Sequence, residues 1–536
     1  MSRGRLMGYL VELDLVDPED APVTLYLSDL PMRPWPSTDA DKPNQAYDPR
    51  VLEAPSMAID LYADPARLTG SLGLSQLVLS NADGYFNQYR GWVFKAVRVW
   101  WGEIKPLGEA RSFATDFRAM LDGRAETPAW RVSANQPSRL SVPIYDRRLD
   151  LENDVQPVEF AGTNAGPSDY EGGPDDLKDR PKPLALGDLQ TANIPFPWVN
   201  PAAQVGQVHD GEYQALTGIF DRGQDASLTT DGDLSGAAFD AVTPATGHYV
   251  TDLGRGLWKV DQGFGGVVTV GVQGAVDLVP GVGYLDTAPG LIEALIRRED
   301  PVASIGATFA TIAAPETVGL YIADRTPTRL VIDSLARSMP GWVLPGPLGT
   351  WQIGKLQLPT GVADRTIEAS DVLSIEPGDP SVSVPVWRVT VKGARLYQTH
   401  TRSNLAGALW DTADEARLRD EFRQAVIKDT ALRDRWWPNV REVEIDTALR
   451  DPADLEPVAQ LLFDVTSVRA DGTPFEEWVI AVEMDAEWLD LLATPGLGVL
   501  KVRLIYPDEG IDRVMLAMGA APGRPKGNQI TLRVWG

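Results

Sequence analysis

Histidine is the residue through which a chain most readily does acid-base or metal chemistry near neutral pH, and this sequence has only His209, His248 and His400. None has a second histidine at zinc-ligand spacing, and the absence of cysteine removes thiolate ligands and nucleophiles as well. His209-Asp210 could polarise a hydroxyl, yet no G-x-S-x-G elbow supplies one, and Asp210-Gly211 is a good turn pair in its own right. A turn is the expectation there. Two carboxylates can hydrolyse a glycoside, but 75 Asp and Glu residues offer so many pairs that none is singled out. Asp231-Gly232-Asp233 lacks the remaining oxygen ligands and distal Glu of an EF-hand loop, which leaves a solvated acidic turn. Gly254-Arg255-Gly256 lacks both the Lys-Ser/Thr of a P-loop and a full dinucleotide fingerprint. The sequence therefore predicts no catalytic, cofactor-binding or metal-binding residue, no cofactor, and a protein that is not an enzyme.

Tryptophan stands out instead. Its 16 copies exceed both tyrosine and phenylalanine, with adjacent pairs at Trp100-Trp101 and Trp436-Trp437. In a strand, adjacent side chains point to opposite faces, so one of Trp100 and Trp101 belongs to a core while the other can meet a neighbour.

These residues must be held by several cores, since 536 residues at 43% hydrophobic are enough for three or four domains. The absence of cysteine fits folding in a reducing cytosol without disulfides. A formal charge of −26 repels phosphate backbones and argues against sequence-specific nucleic-acid binding. It serves solubility, or forms negative walls along which DNA slides without sticking. The apolar stretch Leu6 to Leu15 is broken by Glu12 and Asp14, and no run of about 18 apolar residues occurs. Neither a secretory signal nor a membrane span is expected.

Residues 1–155 read as an N-terminal β-domain, with strands at Val23 to Leu27, Leu72 to Leu79 and Val93 to Trp101 and a turn at Ser80-Asn81-Ala82-Asp83-Gly84. Leu140, Val142 and Ile144 form another strand, which Pro143 assigns to an edge. Residues 156–180 are rich in Gly, Pro and Asp and read as a linker or insertion. Residues 181–285 form a middle β-rich domain, with a paired run from Leu184 to Leu189 and alternation at Val268, Val270 and Val272. A small α+β domain spans 286–385. It has one helix after Ala288-Pro289-Gly290 and another capped by Thr326 with Pro327 in first place, stopped by Pro340-Gly341. Residues 386–536 form a C-terminal α+β domain ending in a β-barrel-like hairpin sheet. There Thr412-Ala413-Asp414-Glu415 is a capping box, and Leu418, Phe422, Ala425 and Val426 stripe the helix that follows. A helix near Asp454 to Phe463 begins or kinks at Pro457, Lys501 to Tyr506 partners the strand Gln529 to Val534, and Gly510 and Gly519 to Gly527 supply turns. The fold class expected is β-rich α+β, multidomain, with several β-barrel or sandwich-like domains and a few short helices.

Three stretches carry a resemblance. EGGPDDLKDRPKPLALGDLQTANIPFPWVNPAAQVGQVHDG, from Glu171 to Gly211 and continuing to Gly223, resembles a signature of tailed-bacteriophage hub and baseplate proteins, a family also seen in phage-tail-like particles. Leu77 to Gly102 resembles the opening domain of tail hubs and Gly496 to Trp535 their final β-domain, while Gly290 to Thr412 follows only in layout. The resemblance implies a structural virion component made in the host cytoplasm and placed at the tail tip or baseplate. It implies a homotrimer joining a sixfold tail tube to a threefold tip around a lumen through which DNA passes during ejection. Partners would be other tail proteins: distal tail, tape measure, and tip or fibre proteins. Three copies together carry three times −26, or −78, so a lumen lined by part of that charge would repel DNA. The alternative is a receptor- or carbohydrate-binding tail protein displaying its tryptophans, and a third reading is a cell-wall-degrading tail enzyme.

Overall fold

The computed structural model describes residues 6–62, 64–68, 72–106, 108–133, 136–166, 168–523 and 528–536. It is β-rich with few helices, and two of its sheets curl into barrels.

The first sheet runs in the order Asp48–Pro49, Pro22–Ser28, Met7–Val16, Val93–Glu103, Phe117–Ala125, Gln136–Asp146, Leu74–Ser80, Val51–Glu53. Its two end members are separated in the chain by Arg50 alone, so the sheet has to bend until its edges meet. Arg50 completes the seam, its carbonyl accepting from the Ser80 N–H at 2.8 Å. Closure of this kind leaves little free strand edge. Val11, Leu13 and Leu15 point inward and are buried with Leu27, Val97, Val99, Leu140 and Val142. The alternate residues Leu10 and Glu12 face outward, where segment 29–47 covers them with Trp35 and Tyr47.

The turn predicted after Leu79 forms as expected. Asn81 Oδ1 accepts from the Phe86 N–H at 2.8 Å, and Gly84 takes φ 76°, a conformation that favours glycine. Pro143 does not mark an edge strand. Gln136–Asp146 is flanked on both sides, and along one side its partner changes from Ala129–Ser133, ending at Ser141, to Phe117–Ala125, beginning at Ile144. Pro143 falls in that gap, where no ladder donor is needed, and its carbonyl accepts from the Glu126 N–H at 3.0 Å.

The middle region holds two five-stranded sheets. One is ordered Gln224–Asp225, Tyr213–Asp221, Val268–Ala275, Leu184–Ile194, Gly319–Ile322; the other Trp198–Asn200, Val205–Gln207, Leu257–Val260, His248–Asp252, Thr229–Asp233. They share a core of Leu189, Ile194, Val208, Trp258, Val260, Val270 and Val272. Leu184 and Leu186 on the opposite face join the main core instead, which explains the unbroken apolar run there.

The last sheet runs Arg365–Glu368, Lys501–Tyr506, Ile511–Pro522, Gln529–Trp535, Glu477–Glu483, Val372–Pro377. Its end members are joined by residues 369–371, so this sheet also curls round, enclosing Val502, Leu504, Leu516, Ile530, Leu532 and Val534. Lys501–Tyr506 is therefore not beside the final strand. Ile511–Pro522 lies between them, and Gly519, expected in a turn, sits inside it; residues 524–527 lie outside the described residues. From Met515 to Pro522 this strand is buried on both faces, leaving no alternation to read there.

Helices Ala288–Glu299 and Leu455–Thr466 form as expected, with Pro457 in the first turn of the second, where its missing N–H costs nothing. The helix expected from Thr326 starts one place later, at Thr328, because Pro327 is still extended. The long helix expected after Thr412 is a correction. Thr412 does cap, accepting from the Glu415 N–H at 3.3 Å, but the helix ends at Arg419. Arg423–Lys428 is a strand paired with Val386–Gly393, so Ala425 and Ile427 pack inward by twofold alternation rather than on a helical stripe.

Candidate functional site

The histidines are dispersed and each is engaged structurally. His209 is buried against the start of Leu184–Ile194, with Nδ1 accepting from the Ala185 N–H at 3.1 Å, so a neutral ring carries its proton on Nε2. Burial, with Arg298 nearby, lowers its pKa to about 3 and keeps it uncharged. Asp210 is held elsewhere: its N–H donates to the Pro183 carbonyl at 2.8 Å, and Oδ2 accepts from Gln156 at 3.2 Å. The two residues thus make separate structural contacts, His209 with Ala185 and Asp210 with Pro183 and Gln156. His400 Nε2 lies 3.1 Å from Asn193 Nδ2, and burial lowers its pKa. His248 Nδ1 pairs with Asp231 at 2.6 Å, while Asp233 accepts from Thr251 Oγ1 at 3.1 Å and the Leu253 N–H at 2.9 Å. Among the described residues no group of three or more His, Asp or Glu is placed to hold a metal ion.

Arg255, between its two glycines, is paired internally with Asp252 at 2.6 Å and Asp240 at 2.8 Å. A cleft of about 1050 Å³ beside it is lined by Asn164, Asp240, Lys259 and Gln262. Lys259 is bound to the backbone, donating to the carbonyls of Phe239, Asp240 and Val242 at 3.3, 3.4 and 2.9 Å, and burial lowers its pKa.

Tryptophans mostly serve the cores. Trp101 is buried in the first barrel, its Nε1 donating to Asn528 at 3.2 Å. Trp100 faces the other way, against Phe113 and under the Lys42 ammonium. Trp410 and Trp437 are exposed, Trp437 at 72%.

What the structure brings together is the pair of barrels. Ile59–Asp60, on the segment leaving the first barrel, pairs antiparallel with Gly519 and Ala520 of the second, and the Leu61 N–H donates to the Met518 carbonyl at 2.9 Å. Leu61, Tyr62, Ala66 and Leu68 are buried beyond it. Asp60 lies 3.1 Å from Arg533, which also pairs with Glu477 at 2.5 Å, and Asp64 lies 2.8 Å from Arg441. Burial raises the pKa of Asp60, opposed by Arg533 and Arg148. Arg148 in turn forms a buried pair with Asp146 at 2.6 Å. A two-residue strand and the Asp60–Arg533 ion pair thus tie the two barrels together, and Asp64–Arg441 ties the same segment to Arg441–Asp446. Sequence reasoning passed over this segment, whose one signal is the apolar alternation Met57, Ile59, Leu61.

No helix of the described residues is long and apolar enough to cross a membrane. No protein-family model matches the sequence, and no curated protein matches it. Among solved structures, the chain is similar to a tail protein from Neisseria meningitidis at 12% identity and a TM-score of 0.40, covering 98% of this chain and 96% of that one. It is similar to a 43 kDa tail protein of a Shewanella oneidensis prophage at 8% identity and a TM-score of 0.39, with 98% of each chain covered. A prophage tail protein from Listeria monocytogenes is similar at 8% identity and a TM-score of 0.34, covering 97% of this chain and 94% of that one.

Proposed function

We propose that this protein is a structural component of a phage tail or phage-tail-like particle, acting as a hub that assembles into a ring at the tail tip or baseplate. The observation that carries this reading is the pair of curled barrels joined in one chain by the Ile59–Asp60 strand. Three copies of a two-barrel chain present six barrels around a ring. That count suits a part seated between a sixfold tube and a threefold tip. The signature stretch from Glu171 to Gly211 supports the same reading from the sequence side, and its apolar run builds the strand Leu184–Ile194.

In such a ring the −26 charge per chain lines part of the lumen and lets DNA pass without adhesion during ejection. The partners are other tail proteins above and below. The chemistry is that of packing and strand pairing, with no reactive group. Labelling purified particles with an antibody to this protein tests the reading: signal at one end of the tail supports it, and absence of the protein from particles overturns it.

A further inference from the structure

Val386–Gly393 is the middle strand of a three-stranded sheet flanked by Arg423–Lys428 and Arg441–Asp446. One face is apolar and packs into the main core through Val389, Val391, Ile427, Val443 and Ile445. The other face carries three cross-strand rows. They read Lys428, Arg388, Glu442; Val426, Thr390, Glu444; and Gln424, Lys392, Asp446. Acids therefore line one outer strand, and the other outer strand is basic or neutral on this face.

Charge is not balanced within the sheet. Arg388 pairs with Glu442 at 3.4 Å and Lys392 pairs with Glu444, so the acidic strand sets three carboxylates against two cations. Lys428 is exposed with no ion pair among the described residues, and beside it Val426 is an exposed apolar side chain. Both outer strands have six residues, and among the described residues neither has a ladder partner on its outer edge. One runs antiparallel and the other parallel to the middle strand, so the two outer strands are antiparallel to each other.

We propose that this sheet is a contact between copies, in which the acidic edge Arg441–Asp446 of one copy pairs with the edge Arg423–Lys428 of the next. The second copy is the occupant because the two edges complement each other in charge, length and direction. Continuing the rows sets Glu442 opposite Lys428 of the neighbour, in the antiparallel sense. Such a contact is head-to-tail, the kind a closed ring repeats. Ladder hydrogen bonds supply the adhesion and the charges select the register, since exposed ion pairs are individually weak. The inference rests on the hub reading, which requires copies to associate.

The test is sedimentation velocity on the full chain, comparing the wild type with Lys428→Glu, Glu442→Lys and the double variant. Each single change places like charges opposite each other and is expected to weaken association by about tenfold or more, while the double variant reverses both signs and restores it. Unchanged thermal unfolding of the variants separates this from misfolding. Equal association of all four proteins, or weakening that the double variant does not reverse, overturns this contact and leaves the hub reading standing. A wild type that stays monomeric at every concentration overturns the hub reading, and the contact with it.

Discussion

Asp60 and Arg533 stand near opposite ends of the chain yet lie 3.1 Å apart, and they join the first barrel to the closing strand of the second. Arg533 also faces Glu477, which is 6% exposed at its side chain. Arg533→Ala leaves Glu477 without its cation and Asp60 with only Arg148 nearby, in a largely buried setting. Denaturant unfolding is expected to show a loss of about 2–4 kcal/mol, more than an exposed ion pair contributes.

Gly519 makes room for Asp60. A Cβ at that position would lie 1.9 Å from Asp60 Oδ1, so Gly519→Ala has to push the carboxylate away from Arg533. Limited proteolysis is expected to cut the 54–73 segment faster in Gly519→Ala than in the wild type. Combining it with Arg533→Ala adds little further destabilisation, because both changes break the same pair.

His209 predicts a pH dependence. Unfolded, its pKa is about 6.5; folded, it is about 3. Between those values the unfolded chain takes up a proton that the folded chain refuses, so this contribution to stability is complete above about pH 6.5 and is lost as pH falls toward 3, at about 1.4 kcal/mol per unit. His209→Gln keeps an acceptor for the Ala185 N–H and flattens the slope of stability between pH 6.5 and 4. His209→Ala leaves that N–H buried without a partner and costs about 1–3 kcal/mol at pH 7.5, measured by denaturant titration.

Buried and exposed tryptophans are expected to separate in mutagenesis. Trp258 is fully buried among Phe196 and Trp198, so Trp258→Ala is expected to cost about 3–5 kcal/mol. Trp437 is exposed, and Trp437→Ala is expected to change stability by no more than about 0.5 kcal/mol. Thermal unfolding of the two variants side by side checks both.

Much of the β architecture was legible because half-buried strands alternate. Ile530, Leu532 and Val534 against Gln529, Thr531 and Arg533 show their faces in the sequence, whereas Met7–Val16 was passed over, its outward Leu10 and Glu12 being buried under segment 29–47. Ile511–Pro522 escaped notice because its greater part, Met515 to Pro522, is buried on both sides and shows no period. The stripe Leu418, Phe422, Val426 misled for the opposite reason: a short helix, a three-residue link and a strand happen to repeat an apolar residue every four positions. Barrel-like domains were expected, but the seam at Arg50 that closes the first could not be read, since it is a relation between ends of a sheet order and not a local pattern. The tie between the barrels was hidden likewise, because Asp60 and Arg533 are ordinary charged residues until the fold places them together. The engagement of His209 with a backbone N–H lies in tertiary structure too, although its place in an Asp-Gly turn was readable.

The central claim is that this chain works by locking its two-barrel body to copies of itself. Light scattering on the purified full-length protein measures the native mass directly. The account predicts an assembly of about three times the 58.3 kDa chain, persisting on dilution into the low micromolar range. A mass of one chain across that range contradicts it.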